Sequence, residues 1–520
     1  MLTKLSVRQL LAVAFAALFA LVLFLGYQQP AYLWLLVLLV PLQVVYWHNI
    51  RQPKHSILRN YPLLGYFRYL LESIRPELRQ YFFESDLDGK PFNRRQRSIV
   101  YQRAKNVRQT VPFGMQTDSQ ATGFEWIAHA MFPVHIPSDD LRVKVGSSRC
   151  QQPYDCSIYN ISAMSYGSLS KTAVTALSAG AKLGGFAHNT GEGGVSPFHI
   201  QGGGDLIWQI GTGYFGCRDS QGNFSEKLYE EQVSHPNIKM VEIKLSQGAK
   251  PGHGGILPAA KNTPEIAAIR KVEPHTTVAS PPGHSAFKDQ FTMLLFIEKL
   301  RILSKGKPIG IKLCIGNELE FERLCQEMMH NQIFPDFITV DGAEGGTGAA
   351  PLEFTDSLGM PLYDALAFVQ TMLEKYKLRD EIKVIAAGKI ITGVDIIKAV
   401  SLGADICYSA RGMMFALGCI QALQCDSGRC PVGIATQDEN LYKGLDMADK
   451  RVRVANFHGN TIKSTIEVME ACGFDSLDSI TPDKVFRRVD SGRTVSFKDI
   501  YFSETNAGNV LNANHKLILN

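Results

Sequence analysis

From residue 157 onward, short β-prone runs recur at 157–162, 185–188, 240–245, 276–279, 309–314, 337–340, 383–386 and 405–408. Most are followed by a glycine-rich loop and then by a helix-like segment, as at 171–183, 264–271, 318–330, 362–375 and 394–402. Strands that alternate with helices need crossover connections, and crossovers build a parallel sheet. Eight such units in roughly 250 residues match the usual size of a closed (β/α)8 barrel. An open, doubly wound sheet is the alternative, but chemistry-bearing loops after nearly every strand suit the closed form better. The expected fold is therefore α/β, a (β/α)8 TIM barrel over 157–430. Residues 431–520 are expected to form an extension that wraps or caps it.

The chain begins differently. Residues 10–27 and 31–47 are two apolar stretches separated by the turn Gln28-Gln29-Pro30. Both are at the short end of what crosses a bilayer. Lys4 and Arg8 precede the first, and Arg51, Lys54 and Arg59 follow the second, with Trp34, Tyr46 and Trp47 placed as interface anchors. No small-x-small cleavage site follows the first run, and neither run has the polar face of a buried hairpin. The expectation is a transmembrane helical hairpin over 1–55. It implies a multi-pass protein of the inner (cytoplasmic) membrane with its catalytic domain in the cytoplasm. Residues 56–156 are expected to form a basic, aromatic juxtamembrane and pre-barrel region. Its arginines and lysines (Arg94, Arg95, Arg97, Arg103, Lys105, Arg108) would either contact membrane lipid or form a solvated helix face. The formal net charge of +5 over 520 residues is too small and too dispersed for a nucleic-acid partner.

In a barrel of this kind the active site lies where strands end and loops begin. Glycine clusters fall there: Gly191-Glu192-Gly193-Gly194, Gly252-His253-Gly254-Gly255, Gly345-Gly346-Thr347-Gly348, and Gly388 with Gly393. Backbone without side chains can approach a ligand closely. The last two clusters follow strands 6 and 7, and Ser409-Ala410-Arg411-Gly412 follows strand 8, where this fold commonly holds phosphate. Lys312 stands inside the apolar run 309–313 and needs an anionic partner to be buried. An anionic flavin edge or a salt bridge to Asp341 or Glu344 would each serve. Of the ten cysteines, Cys419, Cys425 and Cys430 fall within twelve residues, and proline follows the last. That spacing suits iron–sulfur ligation better than structural zinc, which takes four ligands. With three thiolates a [3Fe–4S] cluster is the natural occupant.

Four segments carry a resemblance. Ser162-Ala163-Met164-Ser165-Tyr166-Gly167-Ser168, Asn189-Thr190-Gly191-Glu192-Gly193-Gly194, Gln247-Gly248-Ala249-Lys250-Pro251-Gly252 and the run from Cys419 to Gln437 resemble the synthase core of the glutamate synthase large subunit. The closest likeness is to the stand-alone FMN-binding glutamate synthase family. The resemblance implies an oxidoreductase acting on CH–NH2 donors. Such an enzyme converts 2-oxoglutarate and ammonia to glutamate with reduced FMN, which an iron–sulfur cluster refills. It implies Ala163, Met164 and Ser165 beside the flavin, with Lys312 at its polar edge. Gly345, Gly346, Gly388, Gly393, Ser409 and Arg411 would hold its ring and phosphate. Gln247, Lys250 and Arg270 would hold the 2-oxo acid, with Glu192, Lys250 and Lys312 as catalytic groups. The family usually carries Glu and Gln where this chain has His253 and Ile256. That departure raises the alternative of an FMN oxidoreductase for another imine or an N-substituted amino acid. A membrane electron-transfer module without amination activity is a further alternative. With neither a glutaminase domain nor a nucleotide fingerprint, the resemblance implies ammonia or an amine from solution or a separate glutaminase. It also implies electrons from a partner protein, ferredoxin-like or a reductase subunit.

Overall fold

The computed structural model describes residues 6–107 and 110–503. The chain divides into two compact units, Met1–Arg94 and Arg95–Asn520. Lys4 and Arg108 lie outside the described residues.

In the first unit, the helix Val7–Gln28 is followed by a 3-10 turn, Pro30–Leu35, and a second helix, Leu36–Arg51. Tyr46 lies edge-on to Phe15 and donates its hydroxyl to the Arg8 carbonyl at 2.8 Å, so the two helices run antiparallel. Val7–Gln28 and Pro30–Arg51 are long and apolar enough to cross a membrane by length and composition only, and a signal sequence near an N-terminus passes the same test. The second of them is not one α-helix. Its α-helical part is 16 residues with Pro41 inside, about 24 Å at 1.5 Å per residue, against ~30 Å of hydrocarbon. The expected multi-pass location in the inner membrane is therefore corrected: most of the chain is an α/β barrel, and two borderline helices do not make it a multi-pass membrane protein. The basic strip is corrected in part too. Arg97 is buried, and Arg103 donates to Thr461 and Ser464 at 3.2 and 2.9 Å, so these two face protein rather than lipid or water.

In the second unit, eight parallel strands close into a barrel. They are β1 (Tyr159–Ile161), β2 (Ala187–Asn189), β3 (Asp205–Ile210), β4 (Ile238–Lys244), β5 (Ile309–Leu313), β6 (Phe337–Asp341), β7 (Lys383–Ala387) and β8 (Ile406–Ser409). Each pairs with its sequence neighbours, and β8 returns to β1. The expected barrel is present, with one exchange of strands. Asp205–Ile210 is the third strand, whereas 276–279 contributes only Val278–Ala279, a short antiparallel partner of Ile256–Leu257 outside the barrel. Val278 is β-prone, but neither it nor Ala279 is buried, and β propensity without a face to pack against does not make a barrel strand. The helix after β4 is Gln290–Leu303, reached through a long excursion that contains Pro264–Arg270.

Alternation along the strands builds the interior in layers. At the base, Ala187, Ile207, Met240, Phe337, Ile385 and Ile406 pack with Val145 and Cys156 of the hairpin Arg142–Val145/Tyr154–Ser157, which plugs that end. One layer up the interior turns polar. Glu242 is fully buried and accepts from Asn189 at 2.8 Å, Gln209 at 2.6 Å and Thr339 at 2.6 Å. The long helix Met447–Cys472 packs on Lys171–Gly184, the helix after β1. A Cβ on Gly180 would come within 2.6 Å of Val454 there.

Candidate active site at the barrel mouth

Above Glu242, at the C-terminal ends of the strands, charged side chains converge. Lys244 is the last residue of β4, and its Nζ lies 2.9 Å from Oε1 of Glu192, which sits on the loop after β2. Lys250, on the loop after β4, is buried and donates to the Gly254 carbonyl at 3.2 Å. Arg270, at the end of Pro264–Arg270, is also buried. It donates to the Tyr166 carbonyl at 3.2 Å and lies over the Phe215 ring at 5.1 Å, while its Nε has no protein partner. Burial alone would raise the Glu192 carboxyl. Lys244, Lys250 and Arg270 outweigh it and hold the group below the usual glutamate range. Burial pulls Lys250 down and Arg270 down to about 10, each opposed by the charge of Glu192. Glu192, Lys250 and Arg270, expected as site residues, are thus brought together. Gln247 lies on the same turn, its carbonyl accepting from the Lys250 amide at 3.3 Å.

Lys312 on β5 is buried and pairs with Asp341 of β6 at 3.3 Å, which is the salt bridge weighed against a flavin edge. Burial would lower its pKa, but Asp341, Glu242 and Glu192 outweigh burial and raise it. The backbone of 163–165, after β1, lies against Gly191. With φ at +66°, and with the Ser165 amide 2.7 Å from where a Cβ would sit, that position takes glycine. Met164 N donates to Asn189 O at 3.4 Å. On the other side of the mouth, Arg411 is held by the Glu344 carbonyl at 2.6 Å and crosses Gly346, where a Cβ would come 3.0 Å from the guanidinium. Gly345 closes the turn after β6 onto the Gly342 carbonyl, and Gly388 follows β7 with φ +154°. Two expected cofactor residues are engaged otherwise. The Ser409 hydroxyl donates to Ile390 O at 2.8 Å, and a Cβ on Gly393 would meet the Thr465 backbone at 2.7 Å.

The family model for the conserved region in glutamate synthase matches residues 144–475. The chain belongs to this family. The glutamate synthase large subunit-like protein YerD of Bacillus subtilis is 38% identical over 509 residues, covering 89% of this chain and 96% of its own length. The archaeal glutamate synthase (NADPH) of Methanocaldococcus jannaschii is 34% identical over 321 residues, 62% of this chain and 60% of that protein. Among solved structures, mandelate oxidase with (S)-2-phenylpropionate aligns at a TM-score of 0.44 and 12% identity, covering 77% of this chain and 97% of that one.

All ten cysteines are free thiols, and among the described residues no group of three or more His, Cys, Asp or Glu side chains is gathered to hold a metal ion. Cys419, Cys425 and Cys430 nonetheless lie near enough to act on one another. Burial first, and then the neighbouring thiols, push Cys419 up to about 12 and raise Cys425. Lys261 is buried beside them and donates to Cys425 O at 2.6 Å and Ser168 O at 3.5 Å, tying this loop to the one after β1.

Sequence reasoning missed Lys244, Glu242 and Lys261. The first two carried the signal that singled out Lys312, a charge inside an apolar strand. Glu242-Ile243-Lys244 repeats it with the period of 2 that puts both charges on one face.

Proposed function

We propose that this chain is an FMN-dependent oxidoreductase that works on the C–N bond of a carboxylate-bearing imine or amino acid. The observation that carries the reading is the cluster at the barrel mouth. Lys244, Lys250 and Arg270 are three buried cations gathered about Glu192, so cations outnumber carboxylates at the barrel mouth. Buried charge calls for a partner of opposite sign, and a dicarboxylate supplies two. Reductive amination of 2-oxoglutarate to glutamate is the narrower form of this reading. The wider form is preferred because the 253–256 loop offers no acid or amide. The His253 ring is held by the Gly254 carbonyl at 2.9 Å and meets Phe354 edge-on, and Ile256 is partly exposed. That suits an amine nitrogen carrying an apolar substituent.

Lys312, Arg411 and the glycines at 345, 346 and 388 fit a flavin with its phosphate: one buried and one half-buried cation beside backbone that leaves room for a ring. Bound FMN would supply a hydride to the α-carbon or take one from it. The residues do the rest. Lys244, Lys250 and Arg270 bind the carboxylates and fix the α-carbon's direction. Glu192, kept ionised, accepts a hydrogen bond from the nitrogen. The proton that the nitrogen gains on reduction leaves the Lys244 ammonium, passes over the Glu192 carboxylate 2.9 Å away, and is replaced on Lys244 from solvent before the next turnover. Cys419, Cys425 and Cys430, three thiols within twelve residues of one loop with Lys261 donating to the Cys425 carbonyl, are the residues that would hold an iron–sulfur cluster through which a partner protein exchanges electrons. Purified protein should release FMN on heating. With dithionite as donor it should reduce the imine formed from a 2-oxo acid and an amine, and ammonium, methylamine and several acids should be compared. Absence of flavin from protein purified with FMN supplied, or flavin without turnover of any such pair, overturns the reading.

A further inference from the structure

The 280–288 segment, beyond the short hairpin outside the barrel, carries a histidine that no step above uses. His284 Nε2 lies 2.9 Å from the carbonyl oxygen of Lys244, and its Nδ1 lies 3.0 Å from the hydroxyl of Tyr214. A carbonyl only accepts, so Nε2 carries the hydrogen. Nδ1 is then the acceptor and the Tyr214 hydroxyl its donor, while the Ala286 amide donates to the Tyr214 oxygen at 3.1 Å. The neutral imidazole in this tautomer matches every donor and acceptor in this chain of contacts. Burial holds the ring down to about 4, in agreement with that state.

Two further features show that the contact is built. His284 stacks on Phe287, with centroids 4.7 Å apart and planes at 22°, and lies edge-on to the fully buried Tyr214. Thr212 donates to the Pro281 carbonyl at 2.6 Å, so the loop after β3 grips the segment at a second point. The imidazole bonds to the backbone of the same residue whose side chain pairs with Glu192.

We infer that His284 is a positioning residue: it latches the 280–288 segment onto the last residue of β4 and so holds Lys244 against Glu192. Past Lys244 the strand gives way to loop. Its carbonyl is the last of the strand, and a donor from outside the sheet fixes the backbone from which the Lys244 side chain leaves. A neutral ring does this without adding a further positive charge beside Lys244, Lys250 and Arg270. The inference rests on the proposed function only for the use of Lys244 as an anion ligand; the latch itself is independent of flavin or substrate.

The test compares His284→Phe, which keeps the stacking and removes both hydrogen bonds, with His284→Gln, which returns a donor to the Lys244 carbonyl. Lysine acetylation with acetic anhydride at neutral pH, read by peptide mass spectrometry, reports how far Lys244 is protected. Loss of one buried hydrogen bond costs on the order of 1–3 kcal/mol, so Lys244 labelling and amide exchange in 280–288 should rise roughly fivefold to a hundredfold in His284→Phe. Both should return close to wild type in His284→Gln. Should the phenylalanine variant fail to fold, Tyr214→Phe removes the relay hydroxyl alone and should loosen 280–288 in the same assays. Equal Lys244 labelling in wild type and His284→Phe overturns the inference, as does a glutamine variant that behaves like phenylalanine. Wild-type protein that folds and protects Lys244 but binds no FMN would sink the proposed function and leave the latch standing.

Discussion

Replacement of Arg270 by Ala separates a carboxylate ligand from a structural ion-pair member. Its guanidinium is fixed by the Tyr166 carbonyl and the Phe215 ring, and Nε has no protein partner, so the protein leaves part of its hydrogen-bonding capacity unused. A charge-assisted hydrogen bond to one carboxylate contributes about 1.5–3 kcal/mol. At 1.4 kcal/mol per decade, that corresponds to roughly a tenfold to hundredfold loss of affinity for 2-oxoglutarate. Loss of the cation–π contact costs about 1–2 kcal/mol of stability in addition. Flavin content should be unchanged, because Arg270 lies on the Glu192 side of the mouth rather than beside Arg411. Calorimetric titration of purified Arg270→Ala with 2-oxoglutarate, alongside thermal unfolding and flavin absorbance, measures all three effects. Affinity within twofold of wild type, together with a lowered unfolding midpoint, would falsify the ligand role and leave a purely structural arginine. A double variant with Lys250→Ala adds a check: two residues that hold opposite ends of one dicarboxylate should show coupled losses rather than independent ones.

Other perturbations reach the remaining parts of the structure. Cys425→Ser should remove iron and sulfide from anaerobically purified protein while flavin stays, and zinc rather than iron at wild-type Cys419, Cys425 and Cys430 would refute the redox reading of that loop. Glu192 has its folded pKa depressed, so its stabilising contribution is present above the unfolded glutamate value and is lost as pH falls through the lower folded value. The difference in unfolding midpoint between wild type and Glu192→Gln should therefore be large at neutral pH and shrink in acid, and a pH-independent difference would contradict the buried-cluster geometry. Gly180→Leu forces a side chain into the contact with Val454 and should cost about 1–3 kcal/mol by overpacking, seen in denaturant unfolding as a lower midpoint with an unchanged slope.

Much of the barrel is written locally. Runs such as 309–313 and 383–387 combine β-branched residues with apolar character, and the glycines that follow them announce the loops, so seven of the eight strands and the end that bears the site follow from the sequence itself. The third strand escaped because Gly202-Gly203-Gly204 and Gln209 make 205–210 look like a broken run. Burial of that run among its neighbours, rather than its composition, decides its state. The segment at 276–279 misled in the opposite sense, since propensity says nothing about whether a face exists to pack on. The same division runs through the site. Lys312 was legible as a charge inside a strand and Glu192 as one among loop glycines, while Lys250 and Arg270 followed from the resemblance. That Lys244 joins them, that Asp341 neutralises Lys312, and that His284 reaches back to the Lys244 carbonyl are facts of tertiary structure. They arise from loops separated by tens of residues whose meeting point is set by barrel closure and by the inward or outward phase of each strand. Local sequence encodes which groups a chain can offer. Only closure of the barrel decides which of them share one buried, water-poor space, where charge must be matched by charge.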